Sequence, residues 1–382
     1  MSAVLLDKSA LDDILVKSGL AEFTRDIKLG KFERSYEVAK RTVVILNNMI
    51  KDSTWTTARD LICALKSICA YIDGLKLVET AAGNMIRRVM RIVRDECQNF
   101  NAHARAQQDE ATFDINNGEI HDSNLDLDIC RTGVKENILE GIERELLNEL
   151  ELSSKSIAHQ AVDYVQSDEI ILTLGKSKVV ELFLRHAASG SKTGKRKFTV
   201  IVVELAPFYI GREMAKSLNK SGISTLIVPD SAVFAIMSRV NKVLMSAHSM
   251  MANGGIKAPA SSHSIALAAK HYAVPVIVCC PIYKLTPNYL VSHDTAAFEL
   301  FSHLHTAFPE PYTAPTSEAD SEKDENNRLS IGTGGSVESI HSTFDYVQPE
   351  LITLFVSNIG GNSPSYVYQL LNELYCKSDC FN

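Results

Sequence analysis

Between Glu169 and Cys280, five short apolar runs alternate with amphipathic ones. The runs are EIILTL, FTVIVVE, TLIV, KVLMS and VPVIVCC, each rich in Val, Ile or Leu and each ending near Gly, Pro, Ser or Asp. Runs this short and continuous are strands buried on both faces, and the amphipathic segments between them are crossover helices. The rhythm predicts strands near Glu169–Leu174, Phe198–Glu204, Thr225–Val228, Lys242–Ser246 and Val274–Cys280. Helices are expected from about Ser177, Gly211, Ser231 and Ser262, on both faces of a mostly parallel sheet. Such sheets bind ligands at the carboxyl ends of their strands.

The first hundred residues have a different period. SYEVAKRTVVILNNMIK, WTTARDLICALKSICAYIDGLK and GNMIRRVMRIVRDECQNF repeat apolar residues every three or four positions, as helices do. In the last, Ile86, Val89, Met90 and Val93 form one face, while Arg87, Arg91 and Arg94 form another. That Arg stripe reads as a solvated face or as a surface for an acidic partner. The expected organisation is therefore a helical N-terminal domain (1–100), an acidic flexible loop (101–133), a connecting helix (134–168), and a Rossmann-like, doubly wound α/β domain (169–382). The last carries an acidic insertion at 291–343, then a sixth strand in LITLFVSNIGG and a closing helix from Pro364.

The two loops decide the charge. Together they hold sixteen acidic against four basic residues, a charge of −12 within a total of −7, so the remainder carries +5. An acidic chain is a poor general nucleic-acid binder. No apolar run approaches the ~18–20 residues that span a membrane. Eight cysteines without a CxxC pair suggest neither zinc nor a disulfide framework, and suit a reducing cytosol. No cofactor and no metal site is expected.

Candidate chemistry is sparse. Gly175-Lys176-Ser177 opens a helix after a strand, as a phosphate loop would. That motif also needs a glycine at position 170, which is Ile. Glu204 and Asp230 end strands and suit either acid–base work or capping. Cys279 and Cys280 lie in an apolar run and suit packing. His248 follows the fourth strand, where active groups of such sheets stand. Asn253-Gly254-Gly255 and Gly360-Gly361 allow tight turns or close approach of a backbone.

Longer phrases say more. VPDSAVFAIMSRVNKVLMSAHSMMANGGI, HSIALAAKHYAVPVIVCCPIYKLTP, FDYVQPELITLFVSNIGGNSPSYVYQL and NMIRRVMRIVRDE resemble the regulatory subunits of translation initiation factor 2B. These subunits belong with the methylthioribose-phosphate and ribose-bisphosphate isomerases. The resemblance covers nearly the whole chain outside the two loops, and it narrows to the branch that pairs with the delta subunit. It implies a non-catalytic part of a guanine-nucleotide exchange complex, a decamer that also contains alpha, gamma and epsilon subunits. It further implies contact with the alpha subunit of initiation factor 2 and sensing of that subunit's phosphorylation. The related isomerases use a cysteine after the first core strand and an aspartate after the fourth; the corresponding positions are Gly175 and His248. A vestigial pocket is thus expected at Gly175, His248, Asn253, Gly254 and Gly255. Arg87, Arg91, Arg94, Glu145, Asp168 and Glu169 are the expected partner contacts. An active isomerase or a sugar-phosphate or nucleotide sensor of the same fold is the competing expectation.

Overall fold

The computed structural model describes residues 19–109, 134–190, 196–289 and 343–380, apart from positions 30, 33, 53, 54, 56, 76–78 and 207. Helices come first: α1 (Leu20–Lys28), α2 (Ser35–Asp52), α3 (Ala58–Gly74) and α4 (Ala81–Asp109). Thr57 starts α3 with a reciprocal cap: its hydroxyl accepts from the Asp60 N–H, and the Asp60 carboxylate accepts from the Thr57 N–H. The apolar face of α4 is fully used, since Ile86, Val89, Met90 and Val93 are all buried against α2 and α3. The helix does not stop where polar residues begin. It continues to Asp109, nine residues into the stretch expected to be a loop. The rest of that stretch, residues 110–133, lies outside the described residues, as do residues 1–18 and most of the 291–343 insertion.

A second long helical run comprises α5 (Lys135–Ile142), a π-helical turn (Glu143–Leu147) and α6 (Asn148–His159). Its first half buries Ile138, Ile142, Leu146 and Leu150 in the helical core. Its second half buries Ile157 beneath the sheet. One continuous run of helix therefore belongs to both cores. After the short α7 (Ala161–Tyr164) the chain enters the sheet.

The sheet follows the predicted rhythm: β1 (Ile170–Leu174), α8 (Lys178–Ser189), β2 (Thr199–Val203), α9 (Gly211–Lys220), β3 (Ser224–Val228), α10 (Val233–Ile236) and β4 (Lys242–Ser246). Then come β5 (Ser249–Met250), β6 (Ile256–Pro259), α11 (Ser262–His271), β7 (Val276–Cys279), β8 (Phe344–Val347), β9 (Leu354–Val356), β10 (Gly361–Asn362), α12 (Val367–Leu374) and α13 (Lys377–Cys380). The order in the main sheet is β10-β9-β7-β4-β1-β2-β3. All its pairings are parallel except β10 with β9. Apolar side chains on its two faces form separate cores, one including Leu172, Val243 and Phe355, the other Ile171, Phe183 and Leu244.

Two local readings change. The single strand expected over LITLFVSNIGG is a hairpin, because Ser357 and Gly360 exchange backbone hydrogen bonds of 2.9 and 3.2 Å and turn the chain back. The helix expected from Ser231 is only α10 flanked by 3-10 turns. A small antiparallel sheet, β5-β6-β8, is also present beside the carboxyl ends of the main strands.

Candidate functional site

The carboxyl ends of β7, β4, β1 and β2 stand side by side, and Gly175 and His248, the two positions where the resemblance sets the expected vestigial pocket, follow β1 and β4 there. Gly175 directly follows β1 with φ +59°, a conformation that glycine adopts freely. Its N–H donates to the Val203 carbonyl at 3.1 Å. A Cβ added here would lie 3.1 Å from Leu205 Cδ2 and 3.6 Å from Ile210 Cδ1. Leu205, itself buried, therefore crowds the place where a side chain at position 175 would stand.

His248 follows β4 and faces the helical part of the chain. Its Nε2 lies 3.3 Å from Glu79 Oε1, and its ring packs on Phe344 at 4.5 Å. Glu79, just ahead of α4, also accepts from the Ser35 hydroxyl at 3.2 Å. Burial pushes the Glu79 carboxyl up from its ordinary value, with Lys284, the Ser35 hydroxyl and Lys257 pulling it the other way. Lys284 is itself held by the Ala247 carbonyl at 2.8 Å. The crevice is thus occupied by a carboxylate from the chain's own helical part.

Asn253, Gly254 and Gly255 form the turn between β5 and β6. The Asn253 amide donates to the Tyr346 hydroxyl at 2.7 Å, and its oxygen accepts from the Gly255 N–H at 3.0 Å. A Cβ on Gly254 would lie 2.6 Å from the Pro364 carbonyl, and one on Gly255 2.5 Å from the Tyr346 ring. Both glycines let other parts of the chain approach closely, so this turn packs protein against protein. Cys279 and Cys280 are buried; desolvation pushes both thiols up, that of Cys280 to about 11. Glu204 holds Arg212 at 3.0 Å, and Asp230 accepts from the Ala206 N–H at 3.0 Å. An open groove lined by Lys270, Val274, Pro275, Glu350 and Thr353 lies at the other end, beside the starts of β7 and β9. Among the described residues, no cluster of His, Cys, Asp and Glu could hold a metal ion, and no helix is long and apolar enough to cross a membrane.

The Arg stripe on α4 points into the molecule more than out of it. Arg87 is buried and pairs with Asp73. Arg94 grips Asp379 with two hydrogen bonds of 3.2 and 2.8 Å. Arg91 pairs with Asp95 at 2.8 Å and is a third exposed. Glu145, in the π-helical turn, is half exposed. Asp168 is exposed, with φ +63°, and its N–H donates to the Lys197 carbonyl at 2.7 Å. Glu169 pairs with Lys242 at 2.8 Å. Asp168 and Glu169 stand at the amino end of β1, whereas α4 reaches the carboxyl ends, so the six residues do not share one patch. The sequence reading passed over Glu79, Asp379 and Arg88. Arg88 is buried and holds Glu149 with hydrogen bonds of 3.0 and 2.6 Å. Its charge in a helical repeat looks like surface, and nothing local signals a partner 61 residues away.

Fold and site together define a doubly wound α/β scaffold whose crevice is filled by its own side chains. A profile of the Initiation factor 2 subunit family (IF-2B) matches residues 31–364. The chain is 35% identical to translation initiation factor eIF2B subunit beta of Dictyostelium discoideum, over 90% of this chain and 92% of that one. It is 31% identical to the corresponding beta subunit of Schizosaccharomyces pombe, over 93% and 95%. The fold resembles the crystal structure of eIF2B beta from Chaetomium thermophilum, with a TM-score of 0.71 at 22% identity over 98% and 97% of the two chains. It also resembles a chain of the tetrameric beta2-delta2 complex from the same organism, with a TM-score of 0.67 at 22% identity over 94% and 95%. The chain belongs to the initiation factor 2 subunit family.

Proposed function

We propose that this chain is a beta-type regulatory subunit of the nucleotide exchange factor for initiation factor 2, working in the cytoplasm and without catalysis of its own. The observation that carries this is the filled crevice. Leu205 covers Gly175, and Glu79 occupies the space before His248. Isomerisation needs a proton-transfer group within hydrogen-bond reach of an open substrate site, and here the chain's own groups take that space.

A delta-type subunit is the proposed pairing partner, with alpha, gamma and epsilon subunits completing the assembly. The outer strand β3 supports such pairing. Leu226, Ile227 and, just beyond, Phe234 are about half exposed, at 55%, 48% and 53%. An open strand edge carrying exposed large apolar groups is an association surface unless it is covered. The helical part is the proposed contact for the alpha subunit of initiation factor 2, through which the phosphorylation state of that subunit is transmitted. Among the contact residues expected from sequence, Glu145, Asp168 and Arg91 have the exposure to take part. Arg87 and Arg94 are engaged within the chain.

The test is co-expression of the full chain with a delta-type subunit. Wild type co-purifies in a stoichiometric complex, and Leu226→Asp with Phe234→Asp loses it while keeping its own melting temperature. A wild-type chain that stays alone, or that turns over sugar phosphates, overturns the reading.

A further inference from the structure

The end of the chain is pinned across two structural units. The helix α12 belongs to the α/β part: Val367, Leu370 and Tyr375 are buried in its core, and the Tyr375 hydroxyl donates to the Leu285 carbonyl at 2.6 Å. Immediately afterwards the chain turns onto the helical part. Asp379 places its carboxylate, 1% exposed, between Arg94 of α4 and Lys66 of α3. Arg94 donates two hydrogen bonds to it, and Lys66 lies 3.0 Å away. The neighbouring backbone is held as well. The Asp379 carbonyl accepts from Arg87 at 3.3 Å, and the Ser378 carbonyl accepts from Lys66 at 3.3 Å. Seven residues earlier, in α12, the Asn372 carbonyl accepts from Arg91 at 3.4 Å.

A buried carboxylate is tolerated only when paired and hydrogen-bonded, and removing its charge leaves the facing cations uncompensated. Here those cations come from two helices of one unit, and the carboxylate comes from the tail of the other. The contact therefore reports on how the units are placed. We propose that residues 376–380 form a strap that fixes the helical unit against the α/β unit, with Asp379 as its pin. The strap explains the inward placement of two arginines of α4: Arg94 holds the Asp379 carboxylate and Arg87 the Asp379 carbonyl. It acts at one end of the boundary between the units, while Glu79 and His248 close the crevice at another. Releasing the pin loosens α3 and α4 relative to the sheet without unfolding either core.

Amide hydrogen exchange on the full chain tests this. The variants are Asp379→Asn, the conservative Asp379→Glu, and a chain ending at Cys376. In Asp379→Asn and in the shortened chain, amides of α3 and α4 exchange about tenfold faster or more, while those of β1, β2 and β4 keep their rates. Asp379→Glu falls between these and wild type. Unchanged exchange in α3 and α4 overturns the proposal. So does acceleration spread equally over both units, which would mark a general loss of stability.

Discussion

Glu79 Oε1 lies 3.3 Å from His248 Nε2, so the residue that leads into α4 touches the residue that leaves β4. The two come from different units, and their meeting closes the crevice where a sheet of this kind binds ligands. Among the described residues, His248, the Ser35 hydroxyl, Lys257, Lys284 and the Tyr283 phenol are charged or polar groups around Glu79. The contact has a pH dependence with a definite sign.

Burial raises the Glu79 pKa in the folded chain. A carboxyl raised in this way contributes stability that is complete below its unfolded pKa and is lost as pH rises through the folded value. Glu79→Gln removes that loss. Its melting temperature should gain on wild type as pH is raised from about 4 to about 7. Calorimetry across that range measures it, and a constant difference between the two would count against the assignment.

Gly175 is the second test of a closed crevice. Gly175→Ala forces a side chain into a left-handed conformation and to within 3.1 Å of Leu205. The backbone cost alone is about 1–2 kcal/mol, readable in urea unfolding. The combination Gly175→Cys with His248→Asp installs the residue types that the resemblance leads one to expect in the isomerases, and it should give no turnover of sugar phosphates. Leu205, Ile210 and Glu79 still hold the space.

Arg88 and Glu149 make a pair whose side chains are 9% and 22% exposed. Glu149→Gln strips the charge that compensates a buried guanidinium and should cost about 3–5 kcal/mol. Arg88→Met with Glu149→Leu removes both charges together and should recover much of the loss. Equal destabilisation by the single and double variants, measured in denaturant, would contradict a paired role.

The Arg stripe predicts a graded response. Arg91 is a third exposed and paired locally, so Arg91→Glu should change stability by less than about 1 kcal/mol. Arg87 is buried against Asp73, so Arg87→Glu sets two carboxylates together and should cost about 3 kcal/mol or more. Reversed order in thermal unfolding would show that the inward placement is wrong.

The main sheet was legible because each strand carries its own signal, a continuous apolar run, and neighbours in sequence are mostly neighbours in space. The small sheet was not. Ser249–Met250 is too short to show a period, and β6 finds its partner β8 more than eighty residues later. The Asn253-Gly254-Gly255 turn was visible, but its reason was not: Tyr346 and Pro364 approach from beyond the insertion. The expectation that Gly175 and His248 stand where related enzymes carry catalytic groups could be drawn from family resemblance alone. What fills the site could not, because Glu79 carries no local sign of lying opposite residue 248. Charge misled in the same way at Arg87 and Arg94, whose partners Asp73 and Asp379 lie 14 and 285 residues away.

The small sheet also determines what the chain can tolerate between its strands. The outgoing chain at Leu285–Asn288 runs beside β5, and the returning chain enters as β8, two strands further on. The outgoing chain passes Met250 and Ala252, whereas Phe344 enters opposite Pro259, so departure and return are separated both across the small sheet and along it. Both flanks of the 290–342 segment are thus held by backbone pairing to the small sheet, so a tag or reporter spliced between them leaves every one of those pairings in place.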